Sequence, residues 1–258
     1  TELARTDAPI RPDRTYDDRV LAFFEAYFSN FIEGTEFDVA EAAAIVFEGK
    51  IPADRPEDAQ DILGTYRVVS DRGEMSRVPR SVDDLRALLR TRHLQVMAAR
   101  PDRRPGRFKE RANRAGATVF VDPPLVEGTL EAGFRLYRTI TEPFHRAVFM
   151  SFLVSEAHPF ADGNGRMARI MMNAELVAAG ERRIIIPTVY RTNYLAGLKA
   201  LSQMREPEPI VRILNFAQRY TAAIDFSRYE GAQLELRRTN AFLDPRTADE
   251  EGIRLRLP

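Results

Sequence analysis

The spacing of apolar residues predicts a chain built mainly of α-helices. Over most of the sequence they recur every three or four positions, which places them on one face of a helix. The clearest run extends from Tyr16 to Ile32, is rich in Phe and Tyr, and is followed by Gly34, a natural C-terminal stop. Its aromatic stripe indicates packing against the rest of the protein. Further helices are predicted over about residues 39–47, 57–69, 81–97, 125–140, 143–156, 165–179, 192–204 and 207–226.

The pattern changes between Pro105 and Pro124. Arg107–Phe108 and the run Thr118, Val119, Phe120 and Val121 are short β-like segments joined by a polar loop that contains Gly116. Two such segments around a glycine-containing loop predict a β-hairpin. We call this segment, residues 105–124, the flap.

Two further features suggest how the chain is divided. Ser81, followed three residues later by Asp84, is typical of a helix N-cap and opens a predicted core. The end of the chain is polar and interrupted by Pro245 and Gly252, so we expect a weakly packed tail. The predicted segments are an N-terminal helical region over residues 1–80, a core over 81–228 and a C-terminal tail over 229–258.

Composition narrows the class of protein. Lys plus Arg equals Asp plus Glu, 38 against 38, so no overall charge draws the chain to nucleic acid or to an acidic membrane surface. There are no cysteines, which excludes disulfides and thiolate metal sites. No apolar run approaches the roughly 20 residues that span a bilayer, and the N-terminal segment carries Asp7, Asp17 and Asp18 instead of a basic and apolar signal. We expect a soluble, cytoplasmic protein.

The most informative stretch is residues 158–169, which read HPFADGNGRMAR. Gly163 and Gly165 let the backbone turn sharply and expose its N–H groups where the next predicted helix begins. Free N–H groups and the helix dipole favour phosphate oxygens at such a terminus. Asp162 directly precedes this nest and is placed to hold a divalent cation on the same phosphates.

Three further side chains belong to the same predicted phosphate site. Arg166 and Arg169 are three residues apart, so they share one helix face and can reach successive phosphates. His158 ends the preceding helix and has an ordinary pKa suited to accepting a proton near neutral pH. Together these groups are typical of a site that binds a nucleoside triphosphate.

The stretch resembles the signature of the Fic family, His-x-Phe-x-Asp/Glu-Gly-Asn-Gly-Arg-x-x-Arg, at every specified position. The resemblance, which extends over roughly residues 81–226, implies a helical bundle with a β-hairpin flap over the active site. It also implies a protein adenylyltransferase, which moves AMP from ATP to a Ser, Thr or Tyr hydroxyl of a target protein, with Mg²⁺ as cofactor. Self-modification and a homo-oligomer are compatible with it.

The family's roles carry over position by position. His158 would be the base for the target hydroxyl, Asp162 the magnesium ligand, and Phe160 the residue that fixes the loop in the core. Arg166 would hold the inner phosphates and Arg169 the γ-phosphate. The anion hole would be formed by Gly163, Asn164 and Gly165.

Two other positions also follow from the resemblance. Tyr194 lies where relatives place an aromatic residue that lines the adenine pocket, although Ser202 stands near a position where many relatives have asparagine. The flap residues Thr118 to Val121 would dock the target segment by strand pairing, which positions a peptide through its backbone.

Residues 29–34 match the family's inhibitory pattern, Ser/Thr-x-x-x-Glu-Gly/Asn, through Ser29, Glu33 and Gly34. In that pattern the glutamate pairs with the second motif arginine, Arg169. Residues 247–252 also fit it and would place the inhibitor at Glu251. We favour Glu33 because it ends an aromatic, amphipathic helix whose apolar face must pack against another part of the protein.

Several alternatives remain open from the sequence. The enzyme could instead remove AMP from a modified protein, with the inhibitory glutamate orienting a water, or transfer a different phosphate-linked group. A non-catalytic helical interaction module would not need His158. His93 and His145 are interpreted as structural or surface residues, and the arginines at positions 100, 103, 104 and 107 as a solvated loop.

Overall fold

The computed structural model describes residues 9–11, 18–116 and 118–258, and helices make up most of them. The sequence prediction of a mainly helical protein with one small hairpin is confirmed. No helix in the described ranges is long and apolar enough to cross a membrane. The helices are α1 (Arg19–Ile32), α2 (Val39–Glu48), α3 (Pro56–Ser70), α4 (Arg72–Met75), α5 (Val82–Val96), α6 (Val126–Tyr137), α7 (Pro143–Ala157), α8 (Asn164–Ala178), α9 (Arg191–Lys199), α10 (Glu208–Ala223), α11 (Tyr229–Arg238) and α12 (Pro245–Glu250).

Side-chain caps explain several of these boundaries. Ser81 accepts a hydrogen bond from the Asp84 N–H at 3.1 Å, so α5 begins where the sequence predicted. Asp38 caps α2 in the same way. The predicted start of the first helix at Tyr16 lies outside the described residues, and α1 is seen from Arg19.

The centre of the fold is the closely packed pair α7 and α8, which lie on either side of the motif loop. One apolar cluster packs α5 and α6 against this pair, and a second packs α9 and α10 against its other side. Because α8 is buried along nearly its whole length, its N-terminus is held rigidly at one end of the bundle.

Helix α1 packs its aromatic face on the C-terminal part of the chain. The Phe24 ring stacks on Tyr229 with the ring centroids 5.8 Å apart, and Phe28 stacks on Phe242 at 5.4 Å. Leu236 of α11 is fully buried in the same cluster. The expectation of a weakly packed tail is therefore wrong: a polar composition hides the few apolar side chains that α11 presents to α1.

The flap differs from the sequence prediction in one strand. Strand β1 is Arg114–Ala115, not Arg107–Phe108, and it pairs antiparallel with β2, Thr118–Val119. Phe108 instead packs against Phe160 in the core, with ring centroids 5.4 Å apart. Burial of its ring thus overrides the local β pattern.

One predicted helix also ends differently. The segment expected to be helical over residues 192–204 is α9 followed by a π-helical turn, Ala200–Met204. Wide turns of this kind often occur at functional sites, and this one borders the cavity described below.

The buried contact of α11 can be tested by substitution. Leu236→Ala removes a fully buried side chain and is expected to lower the free energy of unfolding by about 3 kcal/mol, measured by urea denaturation. The control is Leu234→Ala on the same helix, where the side chain is half exposed and the expected change is below about 0.5 kcal/mol. Equally small effects of both substitutions would show that α11 is not part of the core.

Candidate nucleotide-binding site

The motif loop between α7 and α8 is closed by the side chain of Asn164. Its Oδ1 accepts a hydrogen bond from the Phe160 N–H at 2.8 Å, and its Nδ2 donates to the Phe160 carbonyl at 2.9 Å. Both polar atoms of the side-chain amide are therefore hydrogen-bonded within the loop. The side chain of Asn164 shapes the turn, and only its backbone N–H is left to contribute to an anion hole.

Gly163 meets two constraints that only glycine satisfies. It is the N-cap of α8 and has a φ of +74°, and an added Cβ would lie 2.8 Å from the Met97 sulfur. A glycine N-cap has no side chain with which to satisfy the first N–H groups of the helix. The terminus of α8 is thus open to an anion from outside the helix.

His158 ends α7 in a left-handed conformation, with φ +44°. Its Nδ1 donates to the Ser155 carbonyl at 3.2 Å, so the lone pair is on Nε2. Burial, aided by the positive charge of Lys109, lowers the pKa of this imidazole to about 4. His158 is therefore neutral at neutral pH and can accept a proton at Nε2.

His93 sits beneath the loop and holds it from the core side. Its ring stacks on Phe160, with the ring centroids 3.7 Å apart, and Phe160 itself is fully buried. Its Nε2 donates to the Asp162 carbonyl at 3.0 Å, and its Nδ1 accepts from the Gly106 N–H at 2.9 Å. The structural role expected of His93 is thus specific: it joins the motif loop to the start of the flap.

Asp162 immediately precedes Gly163, the N-cap of α8. Its Oδ1 accepts from the Gly163 N–H at 2.7 Å, and its Oδ2 lies 3.8 Å from the Arg103 Nε. No cluster of three or more metal-binding side chains occurs among the described residues. One half-exposed carboxylate suits a magnesium ion that is bound mainly by substrate phosphates and water.

Arg169 is buried and held by α1. Its Nε donates to Ser29 Oγ at 2.9 Å, and its Nη2 donates to the Ser29 carbonyl at 2.8 Å and to Glu33 Oε1 at 2.7 Å. Burial alone would lower the pKa of this guanidinium, but Glu33 and the Tyr194 hydroxyl raise it above its ordinary value. The arginine is charged, is hydrogen-bonded to Ser29 and Glu33, and is 5% exposed.

The Glu33 carboxylate also lies over the first turn of α8. A Cβ added to Gly165 would be only 2.2 Å from Glu33 Oε1, so the carboxylate rests directly on this glycine. Gly34, which follows, has a φ of +91° and allows the chain to turn away after α1. A negative group of the protein itself therefore occupies the space at the glycine-rich helix terminus.

Arg166 points away from this space. Its Nη1 lies 2.8 Å from Asp61 Oδ2 and 3.2 Å from Asn30 Oδ1, in the interface of α8 with α1 and α3. The same Asp61 oxygen accepts from Arg100 Nε at 2.8 Å. Sequence reasoning missed Asp61, because nothing distinguishes it locally from the other acidic residues of α3. The assignment of Arg166 to the inner phosphates stays a prediction.

A cavity of about 380 Å³ joins these groups to the flap. Tyr194 lies in its wall and is almost completely buried. Glu251, the alternative inhibitor, is exposed at the end of α12 and does not line it. The lining residues include Glu33, Thr118, Phe120, His158, Gly165, Arg169, Tyr194 and Gln203.

Several known proteins are similar to this chain in sequence. Residues 82–176 match the sequence model of the Fic/DOC family. Protein adenylyltransferase fic-1 of Caenorhabditis elegans is 25% identical over 228 residues, which is 83% of this chain and 42% of the worm protein. Protein adenylyltransferase Fic of Drosophila willistoni is 36% identical over 78 residues, or 30% of this chain and 16% of the fly protein. The chain thus spans less than half the length of these relatives.

Solved structures share the fold. A Fic domain containing signaling protein from Bacteroides thetaiotaomicron superposes with a TM-score of 0.71 at 18% identity, covering 84% of this chain and 92% of that one. Fic-1 (aa134–508) from C. elegans superposes with a TM-score of 0.65 at 23% identity, covering 83% and 64%. The chain therefore has the fold of these Fic proteins, and residues 82–176 match the Fic/DOC family in sequence.

The shared carboxylate of Asp61 generates a stability prediction. Asp61→Asn leaves the buried Arg166 and the Arg100 Nε without their anion, so the free energy of unfolding should fall by about 3 kcal/mol in urea denaturation. The matched control is Asp58→Asn, which removes a more exposed partner of Arg100 and should cost less than about 1 kcal/mol. A loss no larger than that of the control would show that Asp61 is not needed to neutralise Arg166.

Proposed function

We propose that this chain is a protein adenylyltransferase that transfers AMP from ATP to a hydroxyl group of a target protein. The observation that carries the proposal is the content of one cavity: a neutral imidazole, an uncapped glycine-rich helix N-terminus and a buried arginine. The named relatives, which are protein adenylyltransferases, support the same activity.

The phosphates of ATP would bind to the free N–H groups at the start of α8, where the helix dipole favours negative charge. Arg169 would hold the γ-phosphate, and Tyr194 would line the pocket for adenine. Asp162 would hold a magnesium ion, which neutralises phosphate charge when it is bound. The site thus positions the triphosphate, and positioning is most of what phosphoryl-type transfer requires of a protein.

His158 would then act on the target. The oxygen of the target hydroxyl attacks the α-phosphorus, and Nε2 of His158 accepts the hydroxyl proton as the new O–P bond forms. The bond from the α-phosphorus to the bridging oxygen breaks, and pyrophosphate leaves. The low pKa of His158 keeps Nε2 unprotonated and available for this step.

The target segment would dock on the flap. β2 is short and its residue Val119 is 72% exposed, so its outer edge is open to a further strand. Pairing through the backbone would bring a Ser, Thr or Tyr hydroxyl of the target, or of a second copy of this chain, towards the cavity.

Glu33 would restrain this reaction. Its carboxylate engages the arginine that the γ-phosphate needs and rests on Gly165, where phosphate oxygens would lie. A second like charge beside the triphosphate would force ATP into a distorted pose. The restraint is released when α1 moves or when Glu33 is replaced.

The reverse reaction is a second candidate, and one contact favours it. Glu33 is close enough to His158 to affect its pKa, so the two groups share one site. A carboxylate there could orient a water to attack the phosphorus of an AMP-modified side chain. Such an enzyme would lose, not gain, turnover when Glu33 is removed.

The role of His158 can be tested directly. His158→Ala should reduce incorporation of α-labelled AMP by at least about 100-fold, because general-base assistance is typically worth about 10²–10⁴ in rate. Circular dichroism and thermal unfolding should be unchanged. Full activity in a folded His158→Ala variant would remove this residue from the mechanism.

The proposed restraint by Glu33 leads to a separate prediction. Glu33→Gly should raise AMP incorporation at least about tenfold because it frees Arg169, whereas Glu251→Gly should have little effect. Arg169→Ala should stay inactive even when combined with Glu33→Gly, since the inhibitor and the γ-phosphate share this residue. Labelled AMP incorporation by the four variants and the wild type measures both effects.

The alternatives give different patterns. Activation by Glu251→Gly instead would move the inhibitor to α12. Loss of turnover on an AMP-modified substrate in Glu33→Gly would support the reverse reaction.

A further inference from the structure

The flap covers the base of the proposed reaction with one aromatic ring. The rings of Phe120 and His158 are nearly parallel, at 7°, and their centroids are 3.5 Å apart. One face of the imidazole is therefore occupied by carbon atoms. Burial of the imidazole is the largest cause of its lowered pKa.

The ring is held there by contacts at the start of the flap. The Phe120 N–H donates to the Asn113 carbonyl at 3.3 Å, and the Asn113 side chain donates to the Phe160 carbonyl in the motif loop at 3.0 Å. Lys109 donates from Nζ to Asn113 Oδ1 at 2.6 Å and from its backbone N–H to the Pro159 carbonyl at 2.8 Å. The flap and the motif loop are thus tied together on either side of the stacked rings.

A polar contact joins the flap to the π-helical turn beside the cavity. Gln203, in the π-helical turn, donates from Nε2 to Thr118 Oγ1 at 3.2 Å. This contact joins β2 to another lining residue of the same cavity. The flap therefore lies across the cavity, and Phe120, directly after β2, faces the base, whereas its neighbour Val119 faces solvent.

We propose that Phe120 determines whether water or a protein hydroxyl accepts AMP. Its ring covers one face of His158 and narrows the space beside Nε2 that a water can enter, and a target segment that pairs with the flap displaces the ring and presents its own hydroxyl. The inference rests on the adenylyltransferase activity proposed above. It adds the means by which the site selects its acceptor.

The competing reaction shows why such a cover matters. If water reaches Nε2 while ATP is bound, its oxygen attacks the α-phosphorus, His158 accepts one of its protons, and the bond to the bridging oxygen breaks. The products are free AMP and pyrophosphate, and no protein is modified. A site with a positioned triphosphate and an open base would therefore hydrolyse ATP in the absence of a target.

The first test measures the two acceptors separately in the Glu33→Gly background. With α-labelled ATP and no added target, Phe120→Ala should raise the release of free AMP at least tenfold relative to self-labelling of the protein. Phe120→Tyr, which keeps the ring, should stay within about twofold of Glu33→Gly, and so should the control Leu136→Ala, which changes an exposed leucine of α6 that does not line the cavity. An unchanged ratio of free to protein-bound AMP in Phe120→Ala would overturn the proposal.

The second test does not need activity. Diethyl pyrocarbonate modifies accessible neutral imidazoles, and the chain has three histidines that peptide mass spectrometry can follow separately. Phe120→Ala should increase the modification rate of His158 at least fivefold and leave that of His93, whose ring nitrogens are both hydrogen-bonded, unchanged. An unchanged rate at His158 would show that Phe120 does not cover the base.

The two tests separate the possible failures. If Glu33→Gly neither releases AMP nor labels itself, the proposed function fails and the selection of an acceptor fails with it, even if the modification rate shows that Phe120 covers His158. If Glu33→Gly labels itself and Phe120→Ala exposes His158 without raising the release of AMP, only the exclusion of water is wrong.

Discussion

The state of the site depends on one buried cation. Arg169 is 5% exposed, and a guanidinium in such a place must be paired because an unpaired buried charge costs several kcal/mol. One turn at the end of α1 supplies three acceptors to Arg169, two from Ser29 and one from Glu33. The position of α1 therefore determines what Arg169 can bind. The aromatic packing of α1 on α11 and the second half of the chain fixes that position.

Under the proposed function, the same interaction would account for both stability and restraint. Glu33 neutralises Arg169 and covers Gly165, so the helix terminus is not left with an unpaired arginine beside it. On this proposal, the γ-phosphate of bound ATP would carry the same charge sign as Glu33 and would need the same guanidinium. One anion would then have to leave, and α1 is fastened to α8 at further points, including a 2.9 Å hydrogen bond from Asn173 to Glu25. Activation would consequently require a movement at the end of α1, near Glu33, and not detachment of the whole helix.

Structural features that depend on neighbouring residues were predictable from local sequence patterns. The helix periodicity, the Ser81 cap and the left-handed turn at Gly163 follow from a few neighbouring residues, and the structure contains all three. The contact of Glu33 with Arg169 also matches the sequence interpretation, which relied on a family pattern. Its inhibitory meaning is a proposal.

Contacts across the chain were not predictable in this way. Asp61 meets Arg166 across 105 positions, and no spacing rule links an acidic residue of α3 to the motif. Asn164 was assigned to an anion hole, but its side chain closes its own loop, a role that depends on the turn geometry. The tail appeared weakly packed because its polar residues outnumber the few, such as Leu236, that reach the core.

The measurement that tests the account most directly is a pair of crystal structures, of the wild type and of Glu33→Gly, each with magnesium and a non-hydrolysable ATP analogue. The account predicts that the γ-phosphate contacts the Arg169 guanidinium in Glu33→Gly, while in the wild type Arg169 stays on Glu33 and the triphosphate is displaced. An identical phosphate position in both structures would contradict it.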